Sequence, residues 1–141
     1  MNRQNWTLIA TKFAGPAGLT PVQLQKALFL LGKEMPTAVP ADHYRFVPHN
    51  FGPFSKDIYS DAESLSSEGL VAISERGKYP EYVCTSAGKM AAEMVEVGFD
   101  PDALEYLKRV VEWVQGQTFS SLVRSIYAKY PEYRVNSVFS E

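Results

Sequence analysis

The segment Asn50–Phe54, which reads Asn-Phe-Gly-Pro-Phe, constrains the fold of this chain more than any other stretch. Glycine adopts backbone conformations that are closed to other residues, and proline fixes φ and lacks a backbone donor. The chain must therefore turn sharply within this segment, which we call the Gly-Pro corner. Ser55 follows as a helix N-cap, and Phe54 and Tyr59 have the spacing of a hydrophobic staple across that cap. We expect the Gly-Pro corner to join two halves of the core.

Apolar periodicity predicts six helices along the chain. The first covers residues 3–13. The second begins with a Thr20 N-cap, has Pro21 at its first position and uses Gln23 to complete a capping box. It is apolar on more than one face, so we expect it at the centre of the fold. The others are predicted over residues 56–68, from Thr85 through Met94 to a stop near Gly98, from Asp100-Pro101 to Gly116, and from Thr118 to Pro131.

Three strands are predicted, at Tyr44–Val47, Leu70–Ile73 and Glu81–Cys84, with a turn over residues 75–80 between the last two. The predicted elements follow the order of a winged helix-turn-helix: two helices, a short strand, a third helix and a two-stranded hairpin. The hairpin is the wing of such a fold. We therefore predict a mainly α fold with a small β-hairpin. It would have a winged helix-turn-helix-like core plus additional C-terminal helices, all within a single domain over residues 1–141.

Net charge, cysteine content and hydropathy bear on whether the chain binds nucleic acid or a membrane and on its cellular compartment. The formal net charge of −2 gives no overall attraction to nucleic acid or to an anionic membrane. The single cysteine cannot form an internal disulfide, which fits a reducing cytoplasm. No apolar run is long enough to predict a transmembrane helix, and the amino terminus lacks the pattern of a signal peptide. We expect a cytoplasmic protein with no membrane partner.

Four short motifs follow one another in order along the chain. They are Leu24–Phe29 (Leu-Gln-Lys-Ala-Leu-Phe), the aromatic-Gly-Pro segment Phe51–Ile58, the strand-and-return pattern of Glu68–Val71 with Tyr82–Gly88, and the closing segments Leu122–Tyr127 and Tyr130–Ser137. In this order they resemble the motifs of the Panacea and SocA-like antitoxin domains and of the related YwgA-like proteins. Phe29 and Phe51 differ from the tyrosines of many relatives, and His43–Phe46 looks closer to the YwgA-like branch.

The resemblance implies a compact, mostly helical domain with a winged-helix-like core. Described members of the family neutralise toxins by binding them, and one type is an adaptor that delivers its toxin to a protease. Such domains also occur in phage and prophage genes and beside defence systems. The resemblance therefore implies a protein partner: a toxin, a protease or a defence component. The motif residues that it marks as structural or partner-binding are Leu24, Gln25, Lys26, Phe29, Phe51, Gly52 and Pro53.

Gln25 and Lys26 are polar residues on an otherwise apolar helix, and two interpretations stay open. They could be buried and hold the Gly-Pro corner by hydrogen bonds to its unsatisfied carbonyl groups. They could equally form part of a binding groove.

The helix predicted over residues 56–68 would be the recognition helix of a DNA-binding winged helix. It is acidic, with one base against four carboxylates and a net charge of −3. These residues are Lys56, Asp57, Asp61, Glu63 and Glu68. Such a helix repels phosphates, so only Arg76 and Lys78 at the wing tip remain as candidate phosphate contacts. A DNA-binding regulator is the alternative function.

An acidic surface suits a basic protein partner better than DNA. The candidate partner-binding residues on this helix are Asp57, Tyr59, Asp61 and Glu63. Several aromatic residues also fall outside the predicted core stripes and could form either a second core layer or an interface. They are Tyr59, Tyr79, Tyr82, Tyr106, Trp113, Tyr127 and Tyr133. A second copy of the chain is a further candidate partner.

Catalysis and metal binding find little support in the sequence. His43 and His49 lack a second histidine or cysteine at metal-ligand spacing, and Cys84 has no histidine nearby. The glycines at residues 15–18 lack the lysine of a phosphate-binding loop. We predict a non-enzymatic protein with no cofactor and no metal.

Overall fold

The computed structural model of the protein describes residues 2–139, which form a mainly helical fold with two antiparallel strand pairs. The helices are α1 (Arg3–Ala14), α2 (Pro21–Glu34), α3 (Lys56–Ser67), α4 (Ser86–Glu96), α5 (Pro101–Gln115) and α6 (Phe119–Lys129). The strands are β1 (Val47–His49), β2 (Gly52–Phe54), β3 (Val71–Ser74) and β4 (Glu81–Cys84), and short 3₁₀ turns cover Gly15–Ala17 and Pro131–Arg134. The predicted mainly α fold with little β structure is confirmed.

Helix α2 is the central element, as its apolar sequence predicts. The Thr20 N–H donates to Gln23 Oε1 over 2.9 Å and the Gln23 N–H donates to Thr20 Oγ1, so the predicted capping box is confirmed. Every side chain from residue 24 to residue 31 is buried. Helices α1 and α5 and strand β2 all contact α2, because each of its faces is apolar enough to bury.

The apolar spacing of Ala87, Met90, Ala91 and Met94 predicts the inward face of helix α4, but the helix packs with a different face. The stripe containing Met90 and Met94 is exposed, whereas Gly88 and Ala92 are buried. A Cβ at Gly88 would lie 1.9 Å from the Leu70 carbonyl oxygen, so the helix comes close to the backbone through its small residues. The prediction of the helix itself is confirmed, since α4 covers Ser86–Glu96 and its N-cap is Thr85.

The predicted strand Tyr44–Val47 is wrong in its boundaries. The strand begins only at Val47 and continues to His49, because the Tyr44 side chain is turned into the core and donates a hydrogen bond to Asp61 Oδ2. The Gly-Pro corner is also more than a turn. Its Gly52–Phe54 segment is itself strand β2, which pairs with β1 across a tight connection at Asn50 and Phe51.

The β3–β4 hairpin forms as predicted, with Val71 opposite Cys84 and Ser74 opposite Glu81. Leu19, between α1 and α2, adds a bridge to this hairpin: its N–H donates to Tyr82 O over 3.0 Å, and the Tyr82 N–H donates to Leu19 O over 2.8 Å. The hairpin is thereby tied to the start of the central helix.

Within residues 2–139, no helix is both long and apolar enough to cross a bilayer.

Candidate functional site

The sequence motifs converge in space on the Gly-Pro corner. In the β1–β2 pair Pro48 lies opposite Pro53 and His49 opposite Gly52. Proline has no N–H to donate, so two prolines can face each other only where the ladder needs no hydrogen bond between them. Gly52 has φ +108°, a conformation that L side chains rarely adopt, so a glycine is required at this position.

Gln25 fixes the exit of the Gly-Pro corner. Its Nε2 donates to the Ser55 carbonyl oxygen over 2.8 Å, and its Oε1 accepts the Ser55 N–H over 2.9 Å. Both groups are buried, and the two bonds are the contacts predicted for a structural role of Gln25. Ser55 occupies the N-cap position of α3, but its side chain makes no capping hydrogen bond, so that part of the prediction is wrong. The Phe54–Tyr59 staple is confirmed, with ring centroids 5.6 Å apart.

Lys26 reaches the turn of the Gly-Pro corner. Its Nζ donates to the Phe51 carbonyl oxygen over 2.6 Å, the contact predicted for it, and only 2% of the residue is exposed. No carboxylate in residues 2–139 forms an ion pair with this ammonium group. Desolvation by burial therefore lowers the pKa of Lys26 to about 8.

Gly52 packs directly beside Lys26 and Tyr127. A Cβ on Gly52 would meet Lys26 Nζ at 3.4 Å and Tyr127 Cε1 at 3.5 Å. The Tyr127 hydroxyl is buried and has no hydrogen-bond partner among residues 2–139. The Lys26 ammonium group and the Tyr127 hydroxyl, both beside Gly52, are therefore buried donors with unused hydrogen-bonding capacity.

The closing segments of the sequence pack onto the same hairpin. The Val138 N–H donates to the Asn50 carbonyl oxygen over 3.0 Å, and Asn136 Nδ2 donates to the Pro48 carbonyl oxygen over 3.3 Å. On the neighbouring side, Phe29 is the centre of a ring cluster. It makes edge contacts with Phe46, Tyr130 and Tyr133, at centroid distances of 4.9 to 5.3 Å.

Two cavities flank the exposed side of the Gly-Pro corner. The first, of about 190 Å³, is lined by residues that include Val22, Lys26, Phe51, Gly52, Phe54 and Tyr59, and we call it the corner pocket. The second, of about 290 Å³, is more apolar and is lined by residues that include Val22, Tyr79, Phe119 and Leu122. We call it the wing groove, because Tyr79 lies in the β3–β4 turn.

An aromatic surface joins these two cavities. Phe51 and Phe119 pack edge to face, with centroids 5.1 Å apart, and remain 38% and 41% exposed. Tyr79 is 54% exposed, and Val22 lines both cavities. We call these four residues the aromatic surface: three are exposed aromatic residues, and the half-buried Val22 lies between the two cavities that they line. The apolar spacing of Phe119, Leu122, Val123 and Ile126 predicts a buried position for Phe119, so its exposure is not expected from the sequence.

The candidate acidic residues of α3 do not form one surface. Asp61 is buried, and it accepts hydrogen bonds from Tyr44 Oη at 2.6 Å and Arg3 Nε at 3.0 Å. The prediction that Asp61 binds a partner is therefore wrong, because its carboxylate is buried and hydrogen-bonded within the protein. Asp57 lies 3.6 Å from Arg3 Nη1, whereas Glu63 is exposed. Tyr59 is half-buried against the corner pocket.

Arg3 is the residue that sequence reasoning missed in this network. It donates to a carboxylate from α3, 58 positions away, and its guanidinium lies 4.9 Å from the centroid of the Tyr44 ring. The Tyr44 hydroxyl also bonds Thr7 Oγ1 at 2.7 Å. Burial, followed by the hydrogen bond to Asp61, raises the pKa of Tyr44. No local sequence signal links residues so far apart.

The remaining candidates are dispersed. Arg76 and Lys78 are exposed in the β3–β4 turn. His43 Nε2 lies 3.1 Å from the Leu28 carbonyl oxygen, and His49 Nδ1 accepts the Asn50 N–H over 2.7 Å. Burial raises the pKa of the Cys84 thiol. In the described part of the chain, no cluster of three histidine, cysteine or acidic side chains could hold a metal ion.

The aromatic residues outside the predicted core stripes divide between the two interpretations. Tyr82 and Tyr127 are buried and belong to the core, whereas Tyr79 and Trp113 are exposed. Tyr59, Tyr106 and Tyr133 are half-buried.

Comparisons with family models, with curated proteins and with solved structures find no match for this chain.

Proposed function

We propose that this chain is a non-enzymatic protein-binding domain that engages its partner through the aromatic surface at the Gly-Pro corner. The observation that carries the proposal is the exposed, mutually packed pair Phe51 and Phe119, with exposed Tyr79 lining the same cavity as Phe119. Isolated exposed apolar residues are ordinary, but a connected aromatic patch beside two cavities is typical of an interaction site.

The backbone beneath the aromatic surface is held in place by buried hydrogen bonds. Gln25 bonds both backbone groups of Ser55, and Lys26 bonds the carbonyl oxygen of Phe51. A surface that is already ordered loses little conformational entropy when a partner binds, which favours affinity. This supports binding by a preformed surface.

The resemblance to Panacea and SocA-like domains supplies the mode of action within this proposal. Such a domain would act as an antitoxin that occludes a toxin, or as an adaptor that recruits a toxin to a protease. The residues that carry the resemblance include Lys26, Gly52 and Pro53, which lie directly beneath the proposed surface. The partner would be a toxin, a protease or a defence component.

We also propose that α1, α2, α3 and the β3–β4 hairpin form a winged-helix core. The order of these elements supports it, as does the Leu19–Tyr82 bridge that joins the hairpin to the segment between α1 and α2. In this proposal, the β1–β2 pair is an insertion before the third helix, and α5 and α6 are additions that cover α2 and β2.

A DNA-binding regulator is the second candidate, and one observation favours it more than the sequence did. Asp61 is buried and paired with Arg3, so α3 presents fewer free carboxylates than its sequence suggests. Asp57, Glu63 and Glu68 still outnumber Lys56 on this helix, and the electrostatic interaction with phosphates stays unfavourable. Protein binding is therefore the better supported function.

Co-expression with the product of each adjacent gene tests the proposal. A stoichiometric complex that is lost in Phe119→Ser and kept in Met94→Ser would support it. Met94 is the matched control because it is an exposed apolar residue on α4, which lines neither cavity. A salt-dependent gel shift with a fragment of the gene's own promoter, without any protein complex, would favour the DNA-binding alternative instead.

A further inference from the structure

Lys26 is a buried cation without a counter-ion. The residue is 2% exposed, and its ammonium group has three N–H donors. Among residues 2–139, the one acceptor that bonds this group is the Phe51 carbonyl oxygen. Lysine is almost never fully buried unless it is paired, because an ion that loses its water must be compensated.

Support of the Gly-Pro corner does not by itself require a charge at this position. One hydrogen bond to a carbonyl group needs only a neutral donor, and the adjacent Gln25 supports Ser55 in that way with two bonds. A neutral side chain at position 26 would avoid the cost of desolvating an ammonium group. The positive charge is therefore unexplained by the fold.

The surroundings of Lys26 open toward the surface. Lys26, Phe51 and Gly52 all line the corner pocket, whose volume is about 190 Å³. Gly52 adjoins Nζ without a side chain of its own, since a Cβ there would lie 3.4 Å from it. The pocket walls from Val22, Phe54 and Tyr59 are mostly apolar, so an ion pair inside would be weakly screened by solvent.

We propose that the corner pocket binds the side-chain carboxylate of an aspartate or glutamate of the protein partner, with the Lys26 ammonium group as its counter-ion. The inference rests on the proposed protein-binding function. It specifies the partner's chemistry: an acidic residue flanked by apolar residues that pack on Phe51 and Phe119.

Three backbone positions around the pocket offer no free N–H to a terminal carboxylate. Terminal carboxylates are captured by sets of free backbone N–H groups. Here the Asn50 N–H is bonded to His49 Nδ1, the Ser55 N–H is bonded to Gln25 Oε1, and Pro53 has none. The single positive charge of Lys26 in a mostly apolar pocket can instead form an ion pair with one acidic side chain.

The experiment selects binders from a random peptide library displayed on phage, with every peptide fused through its C-terminus so that no terminal carboxylate is free. We expect the peptides enriched on the wild-type protein to share an aspartate or glutamate between apolar residues. In synthetic, end-capped versions, replacement of that residue by its amide should weaken binding to the wild-type protein about 10- to 100-fold. The same replacement should have little effect on binding to Lys26→Met. The peptide substitution needs no protein variant, so the result does not depend on how Lys26→Met folds.

Each other outcome overturns the inference in a distinguishable way. The enriched peptides could lack a required acidic residue and bind the wild type and Lys26→Met equally well. That result would show that the aromatic surface binds protein but that Lys26 does not bind a carboxylate. Peptides that bind only when synthesised with a free terminal carboxylate would overturn the side-chain assignment. No enrichment on the wild-type protein would contradict the proposed function as well.

Discussion

The buried charge of Lys26 predicts a specific pH dependence of folding stability. The pKa of Lys26 falls from the usual 10.5 of lysine to about 8 in the folded protein. Between these values the unfolded chain binds more protons than the folded one, so stability rises with pH across this window. Below about pH 8 both states carry the charged lysine, and the full cost of burying it is present. Since each pH unit corresponds to about 1.4 kcal/mol, that cost is about 3 kcal/mol.

The variant Lys26→Met removes the charge and keeps an unbranched apolar stem. At pH 7 we expect Lys26→Met to be more stable than wild type by about 1–2 kcal/mol, because relief of desolvation exceeds the loss of one hydrogen bond to Phe51 O. Between pH 7 and pH 9.5 the wild type should gain about 2 kcal/mol relative to the variant. Other titrating groups, such as Cys84 and Tyr59, are common to both proteins and cancel in the difference.

The assay is urea unfolding of both proteins at several pH values between 7 and 9.5, with the difference in free energy of unfolding as the readout. Lys33→Met is the matched control, because Lys33 is exposed on the same helix and the difference it produces should not change over this range. If the difference in free energy of unfolding between Lys26→Met and the wild type did not change from pH 7 to pH 9.5, the ammonium group would be hydrated in solution. That result would refute the reasoning.

Three further substitutions test the framework under the same urea assay. Gly52→Ala should cost about 2 kcal/mol, because φ is +108° there, whereas Gly77→Ala in an open turn should change stability by less than about 0.5 kcal/mol. Gln25→Ala should cost about 1–3 kcal/mol, since it leaves the buried Ser55 N–H without a partner and removes one of two bonds to the Ser55 carbonyl oxygen, which keeps the Ile58 N–H. Asp61→Ala should cost about 2 kcal/mol, because it removes the buried carboxylate that accepts from Arg3 and Tyr44 and leaves them only Asp57 and Thr7 as polar partners among residues 2–139. A change no larger than that of exposed Glu63→Ala would contradict the buried network.

Features with local physical causes could be predicted from the sequence. The capping box of Thr20 and Gln23 depends on residues three positions apart. Glycine in the Gly-Pro corner is required by the backbone at that residue. The hydrogen bonds of Gln25 and Lys26 to the Gly-Pro corner follow from a simple rule, namely that polar side chains on a buried helix must find partners.

Features that depend on distant partners could not be predicted. The charge pattern of α3 placed Asp61 on the surface, but Arg3 and Tyr44 bury it through contacts across 58 and 17 positions. Periodicity located α4 but indicated the wrong inward face, because close packing through Gly88 leaves Met94 exposed. The aromatic surface was missed for the same reason, since Phe119 meets Phe51 only in the folded chain.

The central claim is that the partner binds at the aromatic surface over the Gly-Pro corner. The most direct test is the dissociation constant of the complex with the adjacent gene's product, measured by calorimetry for the wild type, Phe119→Ser and Met94→Ser. The loss of a central aromatic anchor typically costs 2 kcal/mol or more, so Phe119→Ser should weaken binding by about 30-fold or more, and Met94→Ser should leave it unchanged. Equal affinities for Phe119→Ser and wild type, or a larger loss in Met94→Ser, would contradict the account.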